Sequence, residues 1–544
     1  MKRCPECRRD YYDDTLLYCL DDGNALLEGP AVPVSDLATL VMPRAETALA
    51  EMSSSVADRP LRTSKEYSNA VAVLPFANLS GADDSEYLSE GLAEELINVL
   101  SKIKGIRVVA RTSAFAFKGR QIGVADIGRI LRVRSILDGS VRMAGERVRV
   151  AVQLINVEDG YNLWSETYDR RMTDIFAIQD EIAESVVGEL RERLLKAGTG
   201  ITARGDVADE IAHAIRGRSH DPEAYRLMLL GRHILDRANE NDSITAVEYL
   251  QESLEIDPNN AFCWVLLGRA YFEASNFGWR TLDVDYQNAE EALQRAIALE
   301  PDLAEGLARL GRIRWYRDGD FQIAEEYLTR ALAMAPDDAV VLISASSMLK
   351  DLGQFEKALE YCRRATDIDP VGILAWQATA YANFLGGDLS AAETAVKRTL
   401  ELAPQRIFSH ALLALILHKQ GRNEDALAQA FSEPDEFWRS WSLSIIHHEI
   451  GRHVDSDIEF AKLINLGDDS AFQIAEVYAV RGEIDEAFAS LEQAVVRRDP
   501  GKAGMKVSPF LRPLHEDPRW LPLLDKIGFP RDLDGSDHRL EQHV

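Results

Sequence analysis

The chain has 544 residues, with 61 Lys+Arg against 89 Asp+Glu and a formal net charge of −28. A surface this negative repels phosphate backbones and anionic lipid, which excludes a polybasic nucleic-acid or membrane binder unless positive charge is gathered in one part. With 46% apolar and 8% aromatic residues, wholesale disorder is also excluded, and the length suits about three or four domains.

Residues 1–197 carry 25 Lys+Arg against 31 Asp+Glu and residues 198–544 carry 36 against 58, so the acidity, −22 against −6, belongs mainly to the C-terminal two thirds. No apolar run approaches the about 18 residues of a membrane span, and the start Met1-Lys2-Arg3-Cys4 lacks the apolar core of a secretory signal. A soluble cytoplasmic protein is expected, in which thiols stay reduced and free to bind metal.

In chain order, residues 1–29 are rich in Cys and Asp. Cys4-x2-Cys7 followed by Cys19-x2-Asp22 has the spacing of two zinc knuckles, each turning two ligands toward one tetrahedral ion. Three thiolates with a carboxylate are an uncommon set, and Asp21 could serve in place of Asp22. A metal-free hairpin is the alternative to bound structural Zn2+. Residues 30–69, with four prolines and the run Ser53-Ser54-Ser55, read as a flexible linker.

Residues 70–197 alternate strand and helix signals. Ala70–Phe76 is a short apolar run interrupted by Pro75, and Leu88, Leu92, Leu96, Val99, Leu100 and Ile103 recur at helical spacing up to Gly105. A strand over 106–110 and a short helix over 124–131 follow. Ser135–Val141 and Val148–Ile155 form a hairpin with one buried face, and an amphipathic helix over 174–195 closes a compact α/β domain with one layer of helices on a sheet.

Beyond a junction at 198–222 the pattern is all helical. Pro258, Pro301, Pro336, Pro370 and Pro404 are 43, 35, 34 and 34 residues apart, and twelve residues before each stands Ala246, Ala289, Ala324, Ala358 or Ala392. A 34-residue period with small residues at fixed offsets is the tetratricopeptide (TPR) pattern, in which Ala lets two antiparallel helices approach and Pro ends the unit. Gly319, Gly353, Gly387, Gly421 and Gly482 mark the turns inside units. The 43-residue interval predicts a lengthened loop around 276–286, and the stretch after Pro404 reads as degenerate. The expected architecture is thus a small zinc-ribbon-like hairpin, a compact α/β domain and an all-α TPR superhelical solenoid over 223–503 of about six to eight units, with a helical cap at 504–530 and a polar tail at 531–544.

Two resemblances add to this. Cys4-Pro5-Glu6-Cys7 and Tyr18-Cys19-Leu20-Asp21-Asp22-Gly23 resemble the zinc-ribbon segments that precede bacterial signalling and TPR proteins, although Arg8 stands where many ribbons have Gly. The blocks Val71–Phe76, Leu88–Leu96, Val109–Ser113, Leu137–Val141, Leu163–Arg170 and Asp174–Ile182 resemble the domain related to the N-terminal domain of TolB and to the FlgO family. That domain commonly follows a Ser/Thr kinase, a winged-helix regulator or an adenylate cyclase domain, so the resemblance implies a regulatory or binding role.

Catalytic signatures are missing: there is no phosphate-binding Gly-x4-Gly-Lys-Ser/Thr, no kinase motif set and no Gly-x-Ser-x-Gly elbow. His447-His448-Glu449-Ile450-Gly451-Arg452-His453 lacks the His-Glu-x-x-His order. Arg142, Arg147 and Arg149 read as a solvated strand face rather than a phosphate site, and Trp164 and Tyr168 as sheet core. A non-catalytic interaction or regulatory protein is expected, with no nucleic acid and a basic or neutral peptide in the groove of the acidic repeat region. The alternative is a regulatory partner or relative of a kinase or cyclase whose α/β domain binds a small ligand or nucleotide.

Overall fold

In the computed structural model of the chain, residues 1–55 and 56–544 form two units. The structure describes residues 70–196 save a few short gaps, 221–235, 240–276, 282–466 and 470–530, with six strand residues near the N-terminus. In the first unit, β1 (Lys2–Arg3) pairs antiparallel with both β2 (Asp10–Tyr11) and β3 (Leu27–Glu28). The expected ligands Cys4, Cys7, Cys19, Asp21 and Asp22 lie outside the described residues, as do the 30–69 linker and the 531–544 tail.

The second unit opens with a mixed sheet. β4 (Ala70–Val73) runs parallel to β6 (Arg107–Val108) and to β7 (Ser135–Ala144), which also pairs with the short β5 (Ala77–Asn78). β7 is joined through Gly145 to β8 (Arg147–Asn156), and β8 to the edge strand β9 (Asn162–Arg171), all antiparallel. Pro75 cannot donate to a ladder, and it falls where β4 gives way to β5.

Helices α1 (Glu86–Ser101) and α4 (Ile175–Lys196) pack on one face of the sheet, where Leu88, Leu92, Leu96, Ile178 and Ile182 meet Val71, Val73, Leu137, Val150 and Leu154. Between them in sequence lie α2 (Arg111–Phe115) and α3 (Val124–Leu131). The expected single layer of helices is incomplete. The buried Ile127, Ile130 and Leu131 of α3 stand apart from the α1/α4 core, and Gly128 meets Val157 so closely that a Cβ there would lie 2.2 Å from its side chain. α3 therefore covers the opposite face, at the β7 end.

Eight helix pairs follow among the described residues. They are α5 (Pro222–Leu235) with α6 (Glu240–Ile256), α7 (Ala261–Asn276) with α8 (Leu282–Leu299), α9 (Ala304–Ile313) with α10 (Phe321–Met334), and α11 (Ala339–Asp351) with α12 (Phe355–Ile368). Then come α13 (Ile373–Gly386) with α14 (Leu389–Leu402), α15 (Ser409–Lys419) with α16 (Asn423–Phe431), α17 (Glu436–Glu449) with α18 (His453–Leu466), and α19 (Ala471–Arg481) with α20 (Ile484–Val496). Ala246, Ala289, Ala324, Ala358 and Ala392 are all fully buried, as close helix approach requires.

Two irregularities of spacing acquire physical causes. The 35-residue interval holds a π-helical turn at Arg314–Asp318, which absorbs one extra residue at the end of α9. The 43-residue interval is taken up largely by longer helices, α7 of 16 and α8 of 18 residues, rather than by the lengthened loop expected there; residues 277–281 lie outside the described set. Nor is the stretch after Pro404 degenerate in structure, because α15 to α18 are two regular pairs.

First helices of successive pairs pack on one another and so form the inner layer of the array. The inner side of the later pairs is filled by the chain itself. Past α20, the 3-10 turns at Pro500–Gly504 and Arg512–Leu514 and helix α21 (Trp520–Ile527) return to earlier pairs. Lys502 Nζ donates to the carbonyls of Tyr316 (3.0 Å) and Arg317 (2.7 Å), Phe529 meets Trp315 edge-on at 5.2 Å, and Phe510 packs on Trp441 at 5.8 Å. A single core thereby joins residues 307–375 to residues 471–529.

Candidate partner-binding groove

Three glycines organise the inner face of the first three pairs. At Gly231, Gly268 and Gly311 an added Cβ would lie 2.8, 2.6 and 2.9 Å from Leu250, Leu293 and Leu328 of the paired second helix. No side chain fits there, so each glycine fixes the rotation of its helix. The next residue, about 100° further round, is an arginine in all three, Arg232, Arg269 and Arg312. Leu-Gly-Arg thus recurs as Leu230-Gly231-Arg232, Leu267-Gly268-Arg269 and Leu310-Gly311-Arg312, a signal in plain sight that the repeat analysis passed over.

Arg232 and Arg269 form one electrostatic neighbourhood with Arg309 and Arg406. Arg269 Nε donates to Glu273 at 2.9 Å, and Arg309 donates to Glu305 through Nε at 2.9 Å and Nη2 at 2.7 Å. Burial works to raise the Glu305 carboxyl, but Arg309, Arg232 and Arg269 together hold it below its ordinary range. Asp338, pressed by burial and then by the Glu305 charge, is pushed up to about 6. Burial presses the Arg406 guanidinium, from the connection before α15, downward, with Glu273 opposing and Arg269 adding to it.

Arg312 differs from the rest. It carries no ion pair among the described residues; its guanidinium lies 4.8 Å from the centre of the Phe272 ring and 5.5 Å from that of Tyr316, and those rings stack on each other at 6.5 Å. Its Nε is buried without a hydrogen-bond partner. A cation held by aromatic faces keeps most of its donors for a ligand. The inner face here therefore carries arginines and aromatic rings interleaved with Glu273, Glu305 and Asp338.

The head of this column is covered by the α/β domain. Glu94 of α1 forms an ion pair with Arg232 and lies 3.2 Å from Arg111; Glu90 takes a hydrogen bond from Lys118 at 2.5 Å and lies 2.9 Å from His233 Nδ1. Burial works against the Glu90 charge, yet His233 and Lys118 hold its carboxyl at about 2. Nearby, Tyr225 of α5 accepts from Gln179 at 2.8 Å and donates to the Gly91 carbonyl at 3.3 Å, while Phe176 meets its ring edge-on at 5.2 Å. A second attachment lies far along the sequence, where Ser113 bonds Asp369 and Arg132 Nη1 donates to Asp367 at 2.9 Å.

The remaining sequence candidates resolve as structure. Gly451, at φ 81°, is the turn between α17 and α18, so His447 and His448 end one helix and His453 begins the next. Tyr168 is buried against the α4 side of the sheet and Trp164 half-buried there. Arg147 is paired to Asp169 at 2.6 Å. No helix among the described residues is long and apolar enough to cross a membrane.

Repeated helix pairs of this spacing, built on buried alanines and turn glycines, define a tetratricopeptide-repeat array beside a small mixed-sheet domain. The comparisons agree: the tetratricopeptide-repeat model matches residues 285–339, 316–373 and 349–407. Residues 67–185, the region of the TolB-like and FlgO-like blocks, match the model described as HilA/YgeH-like transcriptional regulator, second domain.

Among curated proteins, the chain is 40% identical over 192 residues to one named putative adenylate cyclase 3 of Rhizobium meliloti (strain 1021), a match covering 35% of this chain and 31% of that one. It is 33% identical over 82 residues to regulator of microtubule dynamics protein 3 of Xenopus laevis, 13% of this chain and 18% of that one. The chain thus spans less than a third of the length of either relative. Among solved structures, a human IFIT1 dimer with PPP-AAAA aligns at a TM-score of 0.41 and 14% identity, over 78% of this chain and 97% of that one, and PilW, a type IV pilus biogenesis factor, at 0.30 and 20%, over 38% and 90%. Overlap of that extent decides nothing about ligand or assembly.

Proposed function

We propose that this chain is a non-catalytic scaffold or regulatory protein of bacterial signalling, acting in the cytoplasm, whose first three helix pairs hold an acid-bearing segment of a protein partner. The observation that carries this reading is the Leu-Gly-Arg column. Arg309 is bound on one side by Glu305 one turn away and Arg312 lies against rings with no ion pair among the described residues, so carboxylates of an incoming segment would meet donors already oriented for them, with Phe272 and Tyr316 beneath an apolar side chain. The interleaved Glu273, Glu305 and Asp338 favour a segment of mixed charge over a polyphosphate. Partner recovery on the full-length chain from its native host tests this, with Arg269→Ala/Arg312→Ala alongside. The expected result is a specific partner lost in the double variant; recovery of the same partner by both forms would sink the groove assignment.

The second reading, a regulatory relative of a cyclase or kinase system whose α/β domain binds a small ligand or nucleotide, is favoured by the 40% identity to a protein named putative adenylate cyclase. Calorimetric titration of the full chain with ATP and cyclic AMP tests it, and heat at either would move the emphasis from groove to sheet domain.

The N-terminal segment is read as a structural zinc site, with Cys4, Cys7 and Cys19 as thiolate ligands and Asp22, or Asp21, as the oxygen ligand. Its support is the ligand spacing together with the small three-stranded sheet, in which segment 4–9 joins β1 to β2 and segment 12–26 joins β2 to β3. Metal analysis of the purified protein returning well under one zinc per chain would remove this assignment.

A further inference from the structure

The register of the α/β sheet places charges in an arrangement that costs stability. Arg142 of β7 stands directly opposite Arg149 of β8, and Arg147 of β8 directly opposite Arg171 of β9. Like charges facing each other across neighbouring strands repel. Among the described residues one carboxylate, Asp169, lies with them; it stands opposite Arg149 in the register and is paired to Arg147. Arg142, Arg149 and Arg171 are exposed and carry no ion pair among the described residues.

These residues share the face of the sheet opposite α1 and α4, since Val141, Val148 and Val150 between them point into that helical core. Among the described residues, the second face is covered near Ile136 and Val157, where α3 lies. Past that point it shows Ser140, Thr167 and the arginines. Among the described residues, four arginines against one aspartate on three adjacent strands occupy a patch about 10 Å wide and about 7 Å deep, in a chain whose net charge is −28.

We propose that this end of the sheet is a docking surface for an acidic, Asp/Glu-bearing face of a partner protein, separate from the groove and independent of what the groove holds. Charge complementarity fixes the class of occupant. A protein helix or loop presenting two or three carboxylates matches a patch of this size. A nucleic acid does not, because non-specific affinity grows with the number of phosphates neutralised and this patch reaches few, the face offers no aromatic platform among the described residues, and the rest of the molecule repels a long polyanion.

Fluorescence anisotropy on the full-length protein, with labelled poly-L-glutamate and a labelled DNA duplex as separate probes at low and moderate salt, tests the proposal. Wild type is expected to bind poly-glutamate, Arg142→Ser/Arg149→Ser to lose at least about fivefold in affinity, and Arg363→Ala, at an exposed arginine of α12 outside both sites, to keep most of it. The same double variant supplies a second readout: relief of repulsion should leave its melting temperature equal to or above wild type, whereas a purely structural role for the arginines would lower it. Equal poly-glutamate binding by wild type and variant, no binding by either, or tighter binding to DNA than to poly-glutamate would each overturn the assignment.

Discussion

Glu476 shows how one residue ties the last repeat to the cap. Its carboxylate is 4% exposed and accepts from Ser508 Oγ at 2.6 Å and from Trp441 Nε1 at 3.1 Å, and burial, only partly opposed by those two donors, pushes its pKa up to about 8. A carboxyl raised from an ordinary 4.5 contributes fully to stability below that value, and the contribution is lost as pH rises toward 8. Glu476→Gln removes the ionisation while its amide can still accept from Trp441 and donate to Ser508. The variant is expected to melt close to wild type at pH 5 and several degrees higher at pH 8, as read by scanning calorimetry. Gly268 gives a steric counterpart. Gly268→Ala would put a methyl 2.6 Å from Leu293, so overpacking of about 1–3 kcal/mol should outweigh the roughly 0.5–1 kcal/mol gained in helix propensity, and the net loss is measurable by chemical denaturation.

At the scale of elements, the attachment of α1 to α5 rests on buried charge. Replacing Glu94 by Ala takes a buried carboxylate away from Arg232 and Arg111, a loss of up to about 3–5 kcal/mol for a buried pair broken on one side. Hydrogen exchange should quicken in α1 and α5 while β7 and β8 stay protected; unchanged exchange in α1 would show that Tyr225 and Leu229 hold the domain without the ion pairs. The elements were unevenly legible from sequence. The pairs over 222–402 followed from Ala and Pro, because close approach and chain termination leave residue-type signatures. The pairs over 409–466 did not. α16 has only nine residues, which brings Pro434 thirty rather than thirty-four residues after Pro404, and Ser444 and Ser456 replace the two alanines at the helix crossing, joined by a 2.8 Å hydrogen bond from Ser456 Oγ to the Ser444 carbonyl. Serine is small enough for the same contact, so the packing rule survived while its spelling changed. The groove was half legible: the glycine-arginine steps are in the sequence, but the stacking of Phe272 on Tyr316, the reach of Arg406 to Glu273 and the placing of Glu94 at the column's head are tertiary facts.

For the whole molecule, net charge says little about where charges gather: in a region of −22 the first pairs set Arg232, Arg269, Arg309 and Arg312 beside Glu273, Glu305 and Asp338. The return of the C-terminal segment to the third and fourth pairs was invisible to any periodicity, since it joins residues some 185 positions apart through Lys502 and the Arg317 carbonyl. Truncation after Val496 would strip Phe510, Leu511, Leu514, Trp520 and Phe529 from the cores they complete. The shortened chain is expected to bind a hydrophobic dye and to melt at least several degrees lower, measured by dye fluorescence and by calorimetry; a truncated chain that melts like wild type would show the cap to be an ornament.

The closed contact between the two distant parts of the array also constrains its ancestry. An open stack of repeats can gain or lose a unit, because each touches only its neighbours and the ends meet nothing. Here, dropping or duplicating one helix pair between Gly319 and Lys502 would shift the returning segment by about one helix-packing distance, roughly 10 Å, and Lys502 would no longer reach the carbonyls of Tyr316 and Arg317. The copy number is therefore a fixed quantity of this architecture, so unit-by-unit duplication, the ordinary way in which repeat proteins diversify, is barred for that stretch, and variation must proceed by substitution within a set of pairs whose count cannot change.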